Sequence, residues 1–312
     1  MMLWSRTLHA GGVDDERLRA DYTTAAHYMA RMEPFTYPAL RTVLPPAWQP
    51  HLLAAFAFAG RTDDLADLPP TRRHSGGFHV WAEQTEHGLT TGSSTHSLLR
   101  AFLHTVAVNG VPHAHVRDYL AGQARNLSFV GFATDEDYYR CLDSVAVPYL
   151  TLICSSRRPG ATNRVSHSLL GLVADAAQRV DDLADLAADL RVGRLHFPHT
   201  TLTRFGVTRA DLESGHQTPA VRAFVTYACR QARAVLDIAQ DALRHADAEE
   251  QLLLYPSLVA KQHLLGGIER QGADITRRTV TLNILPSPTE LLGGTLRTLH
   301  ARMRVATTYA RP

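Results

Sequence analysis

Aspartates spaced four residues apart, at Asp181, Asp185 and Asp189 within the stretch QRVDDLADLAADLRVGRLHFP from Gln178 to Pro198, constrain this chain more than any other feature. On a helix such residues lie one above another, with neighbouring Cβ atoms about 5–6 Å apart, so the three carboxylates share a face. Like charges at that spacing oppose helix formation by roughly a few tenths of a kcal/mol per pair. A row of this kind calls for a compensating cation, and a hard divalent metal suits a donor set made only of oxygen. The helix is expected to end at Gly193, bringing Arg194 and His196 back toward the carboxylates.

The same pattern occurs earlier in the chain, where Arg61-Thr-Asp-Asp-Leu-Ala-Asp-Leu repeats Arg179-Val-Asp-Asp-Leu-Ala-Asp-Leu. Here Asp63 and Asp67 share a face and Asp64 stands beside them. Two carboxylate helices predict binding of several Mg²⁺ ions, which accept a few carboxylates and keep water or phosphate oxygens in their other positions. That is the donor set of a diphosphate clamp. The segment leading into the first cluster, His51 to Gly60, is apolar on all sides, which predicts a core helix whose aspartates face an internal cavity.

Helical patterns and caps continue through the chain. They predict helices over Val13–Met32, Thr95–Asn109, Ala114–Asn126, from Thr134 with Asp137 as its cap, and from Thr162 through the second cluster. Further helices are expected at Thr208–Glu213, Pro219–Arg244, Leu252–Gln271 and Pro288–Val305. Pro148 is expected to kink the helix that holds it. Thr71–Thr95, rich in Gly, Ser, Thr and His, reads as a loop, and Arg157-Arg158 as a surface turn. No run alternates between apolar and polar residues, so strands are few or absent. The expected fold class is all-α, a bundle of roughly ten helices around a central cavity. Residues 1–312 are expected to form a single catalytic domain.

Composition closes off other classes. With 45% apolar and 20% charged residues the chain is ordinary for a globular protein, and no apolar run approaches the length of a membrane span. The first residues carry no signal-peptide pattern, so a soluble, cytoplasmic protein is expected. A net charge of +2 gives no electrostatic case for nucleic acid. Cys141, Cys154 and Cys229 are scattered, which argues against a disulfide framework or a thiolate zinc site. His113 and His115, two apart without acidic partners, make no metal site either.

Allylic diphosphates ionise to a carbocation when cations stabilise the leaving diphosphate and an apolar cavity excludes water. Aromatic faces can stabilise the carbocation by about 0.5–2 kcal/mol each, and Phe56, Phe58, Phe132, Tyr138 and Tyr139 are candidates. Tyr138 and Tyr139 read first as core packing and second as cation stabilisers.

These residues resemble the squalene/phytoene synthase family. FAFAGRTDDLAD is similar to that family's first motif, an aromatic helix ending in Asp-Asp-x-x-Asp, and QRVDDLADLAADLRVGRLHFP to its second. IERQGADITRRTVTL is similar to a later family segment. The resemblance implies the isoprenoid synthase fold, Mg²⁺ as cofactor, and Asp63, Asp64 and Asp67 as the first metal-binding set. It places Gln178, Asp185 and Asp189 in the second set, with Asp181 where the family usually has Asn. Asp63, Asp67, Asp185 and Asp189 would be the catalytic carboxylates, and Gln178, Arg194 and Arg278 would bind diphosphate.

The departures point to changed chemistry. Gly60 and Ala184 stand where the family usually has Arg, Ala188 where it has Glu, Asn126 where it has Asp, and His196 where it has Tyr. The family's Val-Gly segment near Leu152–Gly160 is also missing. Fewer charged groups around the cavity predict one allylic diphosphate and a flat, uncharged acceptor beside Ala184 and Ala188. The resemblance to a branch of the family that prenylates aromatic rings, including carbazoles, implies dimethylallyl diphosphate as the donor and an aromatic acceptor such as a carbazole. The alternative is head-to-head condensation of two farnesyl or geranylgeranyl diphosphates. A third reading is a non-catalytic isoprenoid-binding protein.

Overall fold

The computed structural model describes residues 2–33, 36–66, 77–158 and 166–280, and among them every regular element is helical. The expected helix at Pro288–Val305 lies outside the described residues, as do Thr162 and Asp67. The chain divides into two compact units, residues 1–127 with 148–166, and residues 128–147 with 167–312.

The first unit opens with α1 (Met2–Ala10), α2 (Glu16–Met32) and α3 (Thr36–Val43). α4 (Gln49–Ala66) follows, then α5 (Gly77–Thr91), α6 (Ser97–Asn109) and α7 (His113–Asn126). As its apolar density predicts, α4 is buried on nearly every side, through Leu52, Leu53, Ala54, Ala55, Ala57, Phe58 and Ala59. It packs against α2 and α6. The Phe58 ring stacks on Phe102 with centroids 3.9 Å apart, and the Tyr22 hydroxyl meets Thr105 at 2.8 Å. α5 corrects the reading of Thr71–Thr95 as a loop. Its Phe78, Trp81, Thr85 and Leu89 recur at helical spacing and are buried, and that period outweighs a loop-like composition.

The second unit begins with α8 (Asp135–Cys141), started by the Thr134–Asp137 capping box. A five-residue π-helical turn, Leu142–Ala146, then leads into α9 (Val147–Ser155), whose residues from 148 onward belong to the first unit. Pro148, which cannot donate to the helical ladder, lies in the first turn of α9, directly after the π turn. Arg157, expected on a surface turn, is 3% exposed and donates to the Cys154 carbonyl at 2.6 Å. That bond caps a carbonyl left open by the helix end.

α10 (His167–Ala184) and α11 (Leu186–Arg191) carry the second acidic stretch. α12 (His199–Arg204) and α13 (Arg209–Ser214) are short, and α14 (Pro219–Arg244) and α15 (Ala248–Gln271) are long. A single-turn 3₁₀ helix, Gly272–Thr276, ends the described part. α14 starts with Thr218 as cap and Pro219 in the first turn. It buries a stripe that includes Val221, Phe224, Val225, Ala228, Ala232 and Leu236, against α10 and α15. The described helical segments outnumber the ten expected because α1, α3, α5 and α12 were not among those expected and the α8–α9 and α10–α11 runs are each interrupted.

Candidate active site

In the first unit, the last turn of α4 presents Asp63 and Asp64. Tyr119 of α7 donates its hydroxyl to Asp63 at 2.8 Å and to the Ala59 carbonyl at 3.0 Å. Tyr28 of α2 donates to Asp64 at 2.6 Å. Burial first, and then the adjacent carboxylate, hold both phenols far above their ordinary range, so each stays a neutral donor. A Cβ on Gly60 would lie 3.2 Å from the Tyr28 ring, so the space beside this position belongs to an aromatic face. Phe58 is fully buried in the core of this unit, whereas Phe56 is half-buried.

In the second unit the carboxylate row runs along α10 and α11, and the structure corrects the expectation of one continuous helix. The helix breaks at Asp185, which has φ −95° and ψ 0°. Hydrogen bonds still pass through the break, from Asp185 N–H to the Asp181 carbonyl at 2.8 Å and from Asp189 N–H to the Asp185 carbonyl at 2.9 Å. Gly193, with φ 79°, takes the left-handed turn that lets the Arg194 N–H return to the Asp189 carbonyl at 2.8 Å. The chain thereby brings His196 back, and its Nδ1–H donates to Asp189 at 3.0 Å.

The electrostatics are those of a crowded acidic strip. Asp185 retains solvent exposure, yet desolvation by the surrounding protein, then the charges of Asp181 and Asp189, push its pKa up to about 6. Burial pushes Asp182 up to about 7, with Asp181 and Asp189 adding to the effect. Burial alone would lower His196; the hydrogen bond to Asp189 and the charges of Asp182 and Asp189 outweigh it and raise its pKa. Lys261 of α15 forms an ion pair with Asp181.

The other predicted residues are placed as follows. Gln178 donates its amide to Asp182 at 2.7 Å, and Arg194 is half-buried close to His196. Arg278 is exposed beyond the 3₁₀ turn, with its carbonyl accepting from Gln271. Ala184 is buried and Ala188 half-buried. Phe132 is half-buried and lies edge-on to Tyr138, with centroids 5.7 Å apart. Tyr138 is buried and donates to Asp175 at 2.8 Å, while Tyr139 is 48% exposed. Arg179 pairs with Asp175 at 2.8 Å and lies over the Tyr138 ring. Tyr138, Arg179, Asp182, His196, Phe224 and Tyr227 line a concavity in this unit.

Sequence reasoning missed Tyr28, Tyr119, Asp182 and Lys261. Only Lys261 carried a visible signal, as the sole lysine of the chain. Among the described residues no three acidic, histidine or cysteine side chains are gathered into a preformed metal cluster. The donor set nevertheless fits a hard divalent ion, because it consists of carboxylate oxygens in one short stretch, where the charges of Asp181 and Asp189 add to the burial that raises Asp185 and would be offset by a cation.

A family model described as squalene/phytoene synthase matches residues 31–285. Among curated proteins, the chain is 27% identical over 257 residues to the bifunctional protein CrtB/UppS of Streptomyces coelicolor, with 81% of this chain and 44% of that protein covered. It is 24% identical over 248 residues to a 15-cis-phytoene synthase of Synechococcus elongatus, covering 76% and 80%. The chain thus spans less than half the length of the first of these relatives. Among solved structures, a dehydrosqualene synthase in complex with ligand has TM-score 0.74 at 17% identity, covering 93% of this chain and 98% of that one. The squalene synthase HpnC from Alicyclobacillus acidocaldarius has TM-score 0.72 at 22% identity, covering 84% and 98%. These structural likenesses establish the all-α isoprenoid synthase fold.

Proposed function

Because the chain belongs to the squalene/phytoene synthase family, whose members are prenyltransferases, we propose that it condenses allylic prenyl diphosphates head to head. The observation that carries this reading is the family match across residues of both units, taking in both copies of the Arg-x-Asp-Asp-Leu-Ala-Asp-Leu pattern. We take the two units to work as one catalytic domain, each contributing one carboxylate set. The names of the relatives support condensation over the aromatic acceptor that the altered motifs favour, and none of them names a carbazole.

In the first unit Asp63, Asp64 and Asp67, and in the second Asp185 and Asp189, would hold divalent ions, Mg²⁺ by donor chemistry. When bound, such ions supply positive charge to the leaving diphosphate. The chain's own residues do the rest. Arg194, Gln178 and Arg278 are the proposed diphosphate ligands, orienting the headgroup so that the allylic C–O bond can break. Tyr119 and Tyr28 fix the orientation of Asp63 and Asp64 through their hydroxyls. The half-buried rings of Phe56 and Phe132 offer π faces to the cation and exclude water from it.

One specific observation favours the second reading, transfer to a neutral aromatic acceptor. At two positions where the family usually carries Arg, the chain has Gly60 and Ala184. The Tyr28 ring lies against the first and the second is buried. A site without those two cations receives a flat, neutral ring at lower cost than a second diphosphate, whose charge they would otherwise pair. The two readings separate in one assay. The protein is incubated with Mg²⁺ and farnesyl or geranylgeranyl diphosphate alone, and products and pyrophosphate are followed by mass. A thirty- or forty-carbon hydrocarbon or its diphosphate precursor supports condensation. Turnover only when an electron-rich aromatic is added supports the second reading. Tight binding of the prenyl diphosphate with no pyrophosphate released under any condition would leave the non-catalytic reading standing.

A further inference from the structure

We propose that Lys261 is a resident cation of the second carboxylate row, whose ammonium holds Asp181 out of divalent-metal coordination. The inference rests on the reading of Asp185 and Asp189 as metal ligands. Lys261 is the only lysine among the chain's 32 basic side chains, and it projects from α15, which packs against α10. Its Nζ pairs with Asp181 Oδ1, and the two side chains are 24% and 37% exposed, so solvent screens the pair only in part. An arginine there would present a planar fork, whereas a lysine presents a compact point charge on a flexible stem, the closest a side chain comes to a small ion.

The rest of the row shows what this pairing leaves. Asp189 already accepts a hydrogen bond from His196, and Asp185, one turn from both Asp181 and Asp189, is exposed to solvent. An octahedral ion that retains its waters needs only one or two carboxylates. With Lys261 on Asp181, the row therefore offers Asp185 and Asp189 as ligands and disfavours a further ion at Asp181. The repeated pattern makes the two acidic stretches look equivalent in sequence; Lys261 makes the second one poorer in metal capacity.

Manganese titration of the full chain, with free Mn²⁺ read by electron paramagnetic resonance and no substrate present, tests this. Asp181→Asn is expected to leave Mn²⁺ affinity within about twofold of wild type, while Asp185→Asn weakens it by at least about tenfold. Lys261→Gln is expected to bind one further ion or to tighten binding about tenfold, and Lys261→Arg, which keeps the charge, to titrate like wild type. Superimposable isotherms for wild type and Lys261→Gln would overturn the proposal, as would an Asp181→Asn loss equal to that of Asp185→Asn. An Asp185→Asn isotherm unchanged from wild type would instead overturn the metal reading of the row, and this inference with it. Circular dichroism melts establish that each variant is folded; if Lys261→Gln is not, the comparison of Asp181→Asn with Asp185→Asn decides.

Discussion

His51 shows how a single side chain in this fold ties stability to pH. Its Nε2–H donates to the Gly11 carbonyl at 2.9 Å, which leaves Nδ1 facing the hydroxyls of Tyr22 and Thr105 at 3.3 and 3.2 Å. Burial, helped by neighbouring His104 and opposed by the Gly11 bond, lowers its pKa to about 4. The folded value lies below the unfolded one, near 6.5, so the unfolded chain binds the proton first as pH falls. Stability from keeping His51 neutral is complete above pH 6.5 and is lost between pH 6.5 and 4, on the order of 3 kcal/mol in all. His104, also lowered by burial, acts in the same direction. Urea midpoints across this window should fall more steeply for wild type than for His51→Gln. Equal slopes would remove His51 from the account. Neither the contact with Gly11 nor that with Tyr22 was legible in sequence, because both join residues far apart in the chain.

At the scale of elements, what could be read from sequence was what is decided locally. The Thr134–Asp137 capping box, the capped start of α13 at Thr208 and the start of α14 at Pro219 are each decided within one turn, and each stands where the sequence places it. Thr218 accepts the Val221 N–H at 3.1 Å, so Thr218→Ala should lower stability by about 1 kcal/mol, measured as a shift in the urea midpoint at unchanged slope. No shift would mean that packing alone sets the start of α14. α5 was missed because its glycine, threonine and histidine content was weighed above the helical spacing of Phe78, Trp81, Thr85 and Leu89. The break at Asp185 and the pairing of Asp181 with Lys261 were missed because they depend on tertiary contact. A periodic row of aspartates reads as one helix face, while the charge answering it lies on α15.

At the scale of the whole molecule, the family and the all-α fold were legible because two acidic motifs and the later IERQGAD segment recur in one chain with the family's order. The acceptor was not, since absent charges at Gly60 and Ala184 say what the site lacks and not what it receives. The central claim is that both carboxylate sets serve one prenyl-transfer reaction. Its most direct test is the initial rate of pyrophosphate release from a prenyl diphosphate in Mg²⁺, compared among wild type, Asp63→Ala and Asp185→Ala, with circular dichroism confirming the helical fold of each. The account predicts that either substitution lowers the rate by at least about a hundredfold while the helical signal is retained. A folded variant of either kind that turns over at close to the wild-type rate would contradict it.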